Sequence, residues 1–274
     1  MQKPATKKNT IIFFAFLSSL ILGGVLYAMN QPKDIIFTAA ITLFVAVLWV
    51  TEALPIPATS VIPFAAFPLF GVISHTEAAS SLGSHVIMLL MAAFMLSKAL
   101  EKANLHKRFA IYMLRVTGSG SPLKVILGFM MTTAVLSMWI SNTATILMML
   151  PMAIAIINAL DNPRFGVALI LGIAYAASLG GVGTPIGTPP NIIFMSVYEE
   201  TQGVEYSFIE WMKTGIPIVI VAIPVMALWL ARGIKTVGNI DLPEPGHWTK
   251  AEKRVLAIFG TVALAWIFRP FWTA

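Results

Sequence analysis

Two interruptions inside apolar sequence constrain this chain more than any other feature. The first is the polar island Ser137-Met138-Trp139-Ile140-Ser141-Asn142-Thr143-Ala144-Thr145, set between apolar arms at 123–140 and 142–160. The second is Gly180-Gly181-Val182-Gly183-Thr184-Pro185-Ile186-Gly187-Thr188-Pro189-Pro190-Asn191, again inside strongly apolar sequence. Hydrocarbon offers backbone groups no hydrogen-bond partner. Irregular chain at membrane depth therefore survives only where protein or a water-filled cavity surrounds it. Two such places in one chain imply a binding site.

The membrane premise rests on composition. The chain is 58% hydrophobic and only 11% charged, with a mean hydropathy of +0.84, whereas soluble domains carry about 25% charged residues. The apolar runs approach the ~20 residues that cross hydrocarbon and lack strand-like alternation, so the expected class is all-α, a polytopic helical membrane protein. There is no cysteine, which excludes a disulfide framework, a thiolate metal site and thiol chemistry. The net charge of +6 needs no nucleic acid to explain it, because the basic residues sit between apolar runs.

Residues 1–10 form a basic tail with Lys3, Lys7 and Lys8. The run at 11–29 has no convincing small-residue cleavage site, so it is a retained span rather than a signal peptide. Spans follow at 34–51, from 55 to about 73, and at 86–100, so that 11–100 forms one set of transmembrane helices. Pro55 and Pro57 end one helix and start the next, Glu52 is a solvated or capping charge, and His85 marks an outer boundary after a polar loop at 74–84. Residues 101–121 are different in character. Leu105, Phe109, Tyr112, Met113 and Val116 keep an apolar stripe, with Lys102, Lys107, Arg108 and Arg115 largely off it, which predicts an amphipathic helix on the membrane surface. Thr117-Gly118-Ser119-Gly120-Ser121-Pro122 then breaks the helix.

Residues 122–200 hold both interruptions: a hairpin at 122–160, then, after Asp161-Asn162-Pro163-Arg164, a broken helix at 165–198. A span at 201–232, a cytoplasmic link at 233–253 and a final apolar run at 254–274 complete the chain. With a cytoplasmic tail, all Lys and Arg but Lys33, Lys213 and Arg269 face the inside, as the positive-inside rule requires. That bias also argues against two copies pairing head to tail, which would need insertion in both orientations.

A helix that stops at mid-membrane exposes carbonyls suited to a cation, and one that starts there exposes amides suited to an anion. Ser137 and Ser141, four apart, share a helix face and add hydroxyl oxygens. Asn142 and Thr143 are good N-cap types for the second arm. In the second stretch, glycines permit close backbone approach, Pro189-Pro190 end the first half-helix, and Thr184 and Thr188 offer hydroxyls. No Gly-Lys-Ser/Thr ending follows, which argues against a phosphate loop. Trp139 is a packing residue. No Asp, Glu, Lys, Arg or His lies between 125 and 160 or between 165 and 197, so a proton relay lacks its groups. Neutral oxygens suit Na+, a hard cation. An anionic substrate would then be met by amides, Asn and Thr donors and the cation itself, and that would couple the two. Each stretch alone also has a plainer explanation, since Ser, Thr and Gly are common close-packing residues of membrane helices.

At these residues the chain resembles the divalent anion/sodium symporter family, the sodium-coupled dicarboxylate and sulfate transporters. Ser141-Asn142-Thr143 resembles its signature at the tip of a re-entrant hairpin, Gly187-Thr188-Pro189-Pro190-Asn191 its broken-helix motif, and Trp49-Val50-Thr51-Glu52-Ala53-Leu54-Pro55 is similar to a further family stretch. The resemblance implies a sodium site from Ser137, Ser141, Asn142 and Gly187, and a site for a small dianion such as succinate or malate at Asn142, Thr143, Thr188 and Pro189. It also implies a homodimer in a bacterial inner membrane that works by an elevator motion, with the 105–116 helix linking scaffold to transport region. Members carry a second, inverted repeat with its own Ser-Asn-Thr, which is absent here. Ala46-Val47-Leu48-Trp49-Val50 echoes Ala263-Leu264-Ala265-Trp266-Ile267, so the expectation is an N-terminal half, the first of two inverted repeats, cut within the second. The alternatives are a related permease for citrate, sulfate or arsenite, and a non-transporting membrane scaffold subunit. No nucleophile with a base, carboxylate pair or metal-ligand cluster supports an enzyme.

Overall fold

A computed structural model describes residues 5–118, 120–160, 162–234 and 246–272. The expected tail falls partly on residues 1–4 and most of the expected link on 235–245, outside the described residues. The described chain is helical throughout, with no strand. Among the described residues, six helical segments are long and apolar enough to cross a membrane: Lys7–Ala28, Lys33–Thr51, His75–Lys102, Asn142–Leu160, Pro163–Gly181 and Phe208–Leu230. The chain is a polytopic helical membrane protein. It divides into two compact units, Met1–Ile87 and Met88–Ala274.

In the first unit, α1 (Ala5–Ala28) packs on α2 (Lys33–Thr51), and α2 on α3 (Ile56–Leu69). Small residues set the first contact: a Cβ added at Gly23 would meet Ala40 and Ile36 at 3.8 Å, and Ser19 Oγ donates to the Ala40 carbonyl. Membrane helices approach closely through such residues. Glu52 ends α2 in the left-handed conformation, φ 50°, and its side chain is exposed, as expected of a solvated charge. Pro55 then caps α3, with Pro57 in its first turn. The polar stretch expected as a loop at 74–84 is largely a helix, α4 (His75–Leu82). Ser74 caps it by accepting from Glu77 N at 3.1 Å, an N-cap signal that outweighed the low hydrophobicity.

α5 (His85–Lys102) carries the chain into the second unit, followed by α6 (Leu105–Thr117), α7 (Pro122–Ser137), α8 (Asn142–Leu160), α9 (Pro163–Gly181), α10 (Pro189–Gln202), α11 (Phe208–Leu230), α12 (Lys250–Ile267) and the short α13 (Arg269–Trp272). Starts are written in the sequence. Ser121 accepts from Lys124 N at 3.3 Å and Asn162 from Phe165 N at 3.1 Å, each followed by a proline at the first helical position. Ser207 with Glu210 and Thr249 with Glu252 close reciprocal capping boxes on α11 and α12.

α7 lies at the centre, packed on α9, α6, α11 and α8. Val125, Ile126, Phe129 and Met130 on it are fully buried, against Leu169 and Ile173 of α9 in the main core. At 1.5 Å per residue its sixteen residues reach roughly 24 Å, short of the ~30 Å hydrocarbon thickness. α8, at nineteen residues, reaches roughly 28 Å. At the irregular tip after α7, Ile140 is buried and Met138, Trp139 and Ser141 are half-buried, the partial cover by protein that intramembrane irregularity needs.

The surface helix keeps only part of its expected pattern. Leu105, Ala110 and Ile111 are buried, whereas Val116 on the predicted apolar stripe is 80% exposed. Arg108, read as off the stripe, is buried at 8% exposure. Its Nε and Nη2 donate to the two carboxylate oxygens of Glu252 at 3.1 and 3.2 Å, and Nη1 and Nη2 to the carbonyls of Gly246 and His247 at 2.7 and 3.1 Å. The guanidinium also sits 4.5 Å from the Trp248 ring centroid. A long-range partner removed this arginine from the solvent face, which periodicity alone cannot foresee.

Candidate functional site

The two interruptions meet. α7 ends at Ser137 and α8 begins at Asn142, so Met138 to Ser141 form the tip of a hairpin. α9 ends at Gly181 and α10 begins at Pro189, leaving 182–188 as an irregular connection. The tip is closed by Trp139 N and Ile140 N donating to the Leu136 carbonyl at 3.0 and 2.9 Å. Within the connection, Gly183 N donates to Gly180 O at 2.8 Å and Gly187 N to Thr184 O at 3.3 Å.

Tip and connection approach backbone to backbone, which is why glycine recurs here. A Cβ added at Gly180 would lie 2.5 Å from Ala134 Cα and 2.8 Å from its carbonyl carbon; one at Gly187 would strike the Gly181 backbone. Side chains then bind the backbone they reach. The Thr184 hydroxyl donates to the Met138 carbonyl. The buried Asn191 amide donates to Gly181 O at 2.8 Å and Thr184 O at 2.9 Å. Trp211 Nε1 of α11 donates to Val182 O at 2.8 Å, and a Cβ at Gly215, one turn on, would strike the same Val182 carbonyl. Trp139 stacks near Phe208 at 6.3 Å and meets Phe259 edge-on at 5.1 Å, the packing role expected of it.

The residues expected to hold sodium divide into a tight group and one at its edge. Ser137 is fully buried. Its Oγ lies 2.7 Å from Asn142 Oδ1 and 2.7 Å from the Ala177 carbonyl oxygen. A hydroxyl carries one proton, and both neighbours are acceptors in this orientation of the Asn142 amide. One of the two contacts is therefore between oxygens with no proton between them. Gly181 places its backbone against the same amide, since a Cβ there would sit 2.8 Å from Asn142 Oδ1, and Gly187 touches Gly181. Ser141 is spent differently: it is the N-cap of α8, its Oγ accepting from Ala144 N at 3.4 Å and its carbonyl from Thr145 N at 2.9 Å. Asn142 and Thr143, expected as caps, are instead the first two helical residues. Their N–H groups are first-turn amides that no intrahelical carbonyl can reach.

The residues expected to face substrate lie further out. Asn142 is half-buried and Thr143 exposed, Thr188 half-buried and Pro189 exposed. Thr188 takes the N-cap position of α10 with extended backbone and no side-chain cap bond. Pro189 and Pro190 have no N–H, and Asn191 N donates to Thr188 O at 3.1 Å. The α10 end thus offers an anion the Thr188 hydroxyl, while the α8 end offers amides. Among the described residues no group of three or more His, Cys, Asp or Glu could hold a metal, so the candidate chemistry rests on neutral oxygens.

A cavity of about 310 Å³ touches the connection at Pro185 but none of the expected site residues. Its rim carries Glu205 and Glu210 against Arg269, and Arg269 is paired with Glu205 at 2.9 Å. Two carboxylates against one guanidinium do not favour a dianion.

Sequence reasoning missed the Ala177 carbonyl, Gly215 and Trp211. A main-chain ligand from mid-helix leaves no residue-type signal, whereas a glycine and a tryptophan in the first turns of an apolar span are visible signs of close packing.

A family model described as citrate transporter matches residues 46–274. The sodium-dependent dicarboxylate transporters SdcS of Staphylococcus aureus strains USA300 and NCTC 8325 are each 37% identical over 296 residues, covering 97% of this chain and 57% of the relative. The chain spans little more than half the length of these curated relatives. Matched over most of its length, and similar to transporters named for sodium and dicarboxylate as its motifs led one to expect, this chain belongs to the citrate transporter (CitMHS) family.

Proposed function

We propose that this chain provides one half of a sodium-coupled symporter for a small divalent anion, a C4-dicarboxylate such as succinate or malate. The observation that carries the reading is the cluster at the fully buried Ser137, whose Oγ lies 2.7 Å from both Asn142 Oδ1 and the Ala177 carbonyl oxygen, two acceptors for one hydroxyl proton in this orientation of the amide. A hard monovalent cation suits such a set, because it takes oxygen ligands and relieves the lone-pair repulsion. Ser137 and Asn142 hold it, the Gly181 and Gly187 backbone closes over it, and Ser141 anchors the helix that carries Asn142. Sodium supplies positive charge at a depth where the chain places none of its own. The Asn142 and Thr143 amides and the Thr143 and Thr188 hydroxyls then orient one carboxylate, with Pro189 shaping the rim. Neither charge is comfortable there alone, and that difference couples their movement.

In the same reading, sequence outside this chain supplies an inverted second repeat with the other half of the site. The assembly is a homodimer in a bacterial inner membrane, with the N-terminus cytoplasmic. Succinate uptake into vesicles carrying the full-length transporter tests it: an inward sodium gradient should drive uptake, and Asn142→Ala should abolish it. Uptake indifferent to sodium and driven by a pH gradient would contradict the reading. Citrate has a specific claim as the alternative, since the matching family is described as a citrate transporter. Competition by citrate stronger than by succinate would favour it. A scaffold subunit would show no uptake and no effect of Asn142→Ala.

A further inference from the structure

Thr145 departs from what the other buried helical threonines among the described residues, Thr59, Thr132 and Thr133, all do. Buried in the same bundle, Thr132 donates to Gly128 O at 2.8 Å and Thr133 to Phe129 O at 2.7 Å. Thr117 and Thr261 make the same bond to the carbonyl four residues back. It is the cheapest way for a helical threonine to satisfy its hydroxyl. Thr145 has the Ser141 carbonyl available in that position, yet that carbonyl takes only the Thr145 N–H, at 2.9 Å. Its Oγ1 is fully buried and, among the described residues, is the buried side-chain polar atom without a hydrogen-bond partner. Thr145 itself has no exposed surface. An unmade buried hydrogen bond is costly enough that a native fold needs a reason for it.

Placement supplies the reason. Thr145 lies three residues after Asn142 and four after Ser141 on α8. These spacings make Thr145 the helix-surface neighbour of both, its Cβ about 5–6 Å from theirs. Asn142 points to Ser137 Oγ, and Ser137 points to α9. The orphaned oxygen therefore belongs to the residue one turn along α8 from the amide of the oxygen cluster. Resting on the sodium-site reading above, we propose that Thr145 Oγ1 is a further oxygen of the cation site, held away from its backbone carbonyl so that its lone pairs meet the bound cation. Thr145 would then set how tightly the cation is held, while Asn142 and Thr143 face the substrate.

The test is sodium titration of the purified full-length transporter, read as the sodium concentration that half-maximally raises its thermal unfolding temperature at constant ionic strength. Thr145→Val, which replaces the hydroxyl by a methyl of similar size, should raise that midpoint about tenfold or more, as expected for loss of one oxygen contact to a charge. Thr145→Ser, which keeps the hydroxyl, should stay within about threefold of wild type. Without sodium, Thr145→Val should unfold at the wild-type temperature or above it, because an unsatisfied hydroxyl has been removed. Where the valine methyl disturbs packing, Thr145→Ala reads the same loss. An unchanged midpoint in Thr145→Val and Thr145→Ala, beside a large shift in Asn142→Ala, overturns this proposal and leaves the sodium site standing. No sodium effect in wild type, or none lost in Asn142→Ala, overturns the site itself.

Discussion

The hairpin site and the Arg108 clamp solve the same problem with opposite chemistry. Each ties together segments far apart in the chain, Ser137 to Ala177 in one and Arg108 to Glu252 in the other. The site does so with hydroxyls, amides and main-chain carbonyls. The clamp uses a guanidinium and a carboxylate bonded at two points. Position explains the difference. The hairpin arms and broken helix lie in apolar sequence, where a fixed charge is costly. Arg108 lies on α6, which is not among the helices long and apolar enough to span, and its charge is met by Glu252, two carbonyls and the Trp248 face. The clamp is electrically complete by itself. The site carries no charge of its own, and on the proposed reading bound ions complete it.

The comparison can be broken at several points. The largest effect should come from the backbone contact that joins tip to connection. Gly180→Val sets a Cβ against the Ala134 backbone at 2.5 Å, which cannot move aside as a side chain could, so folded protein should be lost after detergent extraction. Gly24→Ala, where an added Cβ meets nothing within 4 Å, should leave the yield unchanged. Next, Ser137→Ala should weaken the sodium response about tenfold or more while lowering sodium-free stability by about 1 kcal/mol, measured by titration and denaturation on the same sample.

At the clamp the pattern should reverse. Arg108→Met strands the Glu252 carboxylate and should lower the unfolding temperature by several degrees with the sodium midpoint unmoved. The Glu252 carboxyl is held below its ordinary value of 4.5, first by the Thr249 backbone N–H and then by the Arg108 guanidinium. A depressed folded value means the stabilisation is full at neutral pH and fades as pH falls below the ordinary carboxylate range. The gap in unfolding temperature between wild type and Glu252→Gln should accordingly persist from pH 7 to about 5 and close in stronger acid. The smallest effects belong to the helix caps: Ser121→Ala and Asn162→Ala should each cost about 1 kcal/mol and leave the sodium response intact.

Much of this architecture is written locally. Ser121-Pro122 and Asn162-Pro163 state where α7 and α9 begin, and the Gly/Pro/Thr stretch states where α9 stops, because caps, prolines and glycines act within one turn. The pairing of the two interruptions is legible only as an inference from membrane physics. The division of labour within Ser141-Asn142-Thr143 is not legible, since all three residues cap helices well and only the packing of α8 decided that Ser141 would. Arg108 and Thr145 lie beyond sequence reasoning for a shared reason. One gains a partner far along the chain and the other forgoes the partner four residues back, and neither choice leaves a mark on periodicity.

The most direct measurement compares sodium with potassium and choline as stabilisers of the purified full-length transporter, in wild type and in Ser137→Ala. The account predicts a saturable rise in unfolding temperature with sodium that neither other cation reproduces and that Ser137→Ala largely removes. An equal rise with all three cations, or a sodium response that survives the loss of the Ser137 hydroxyl, would contradict it.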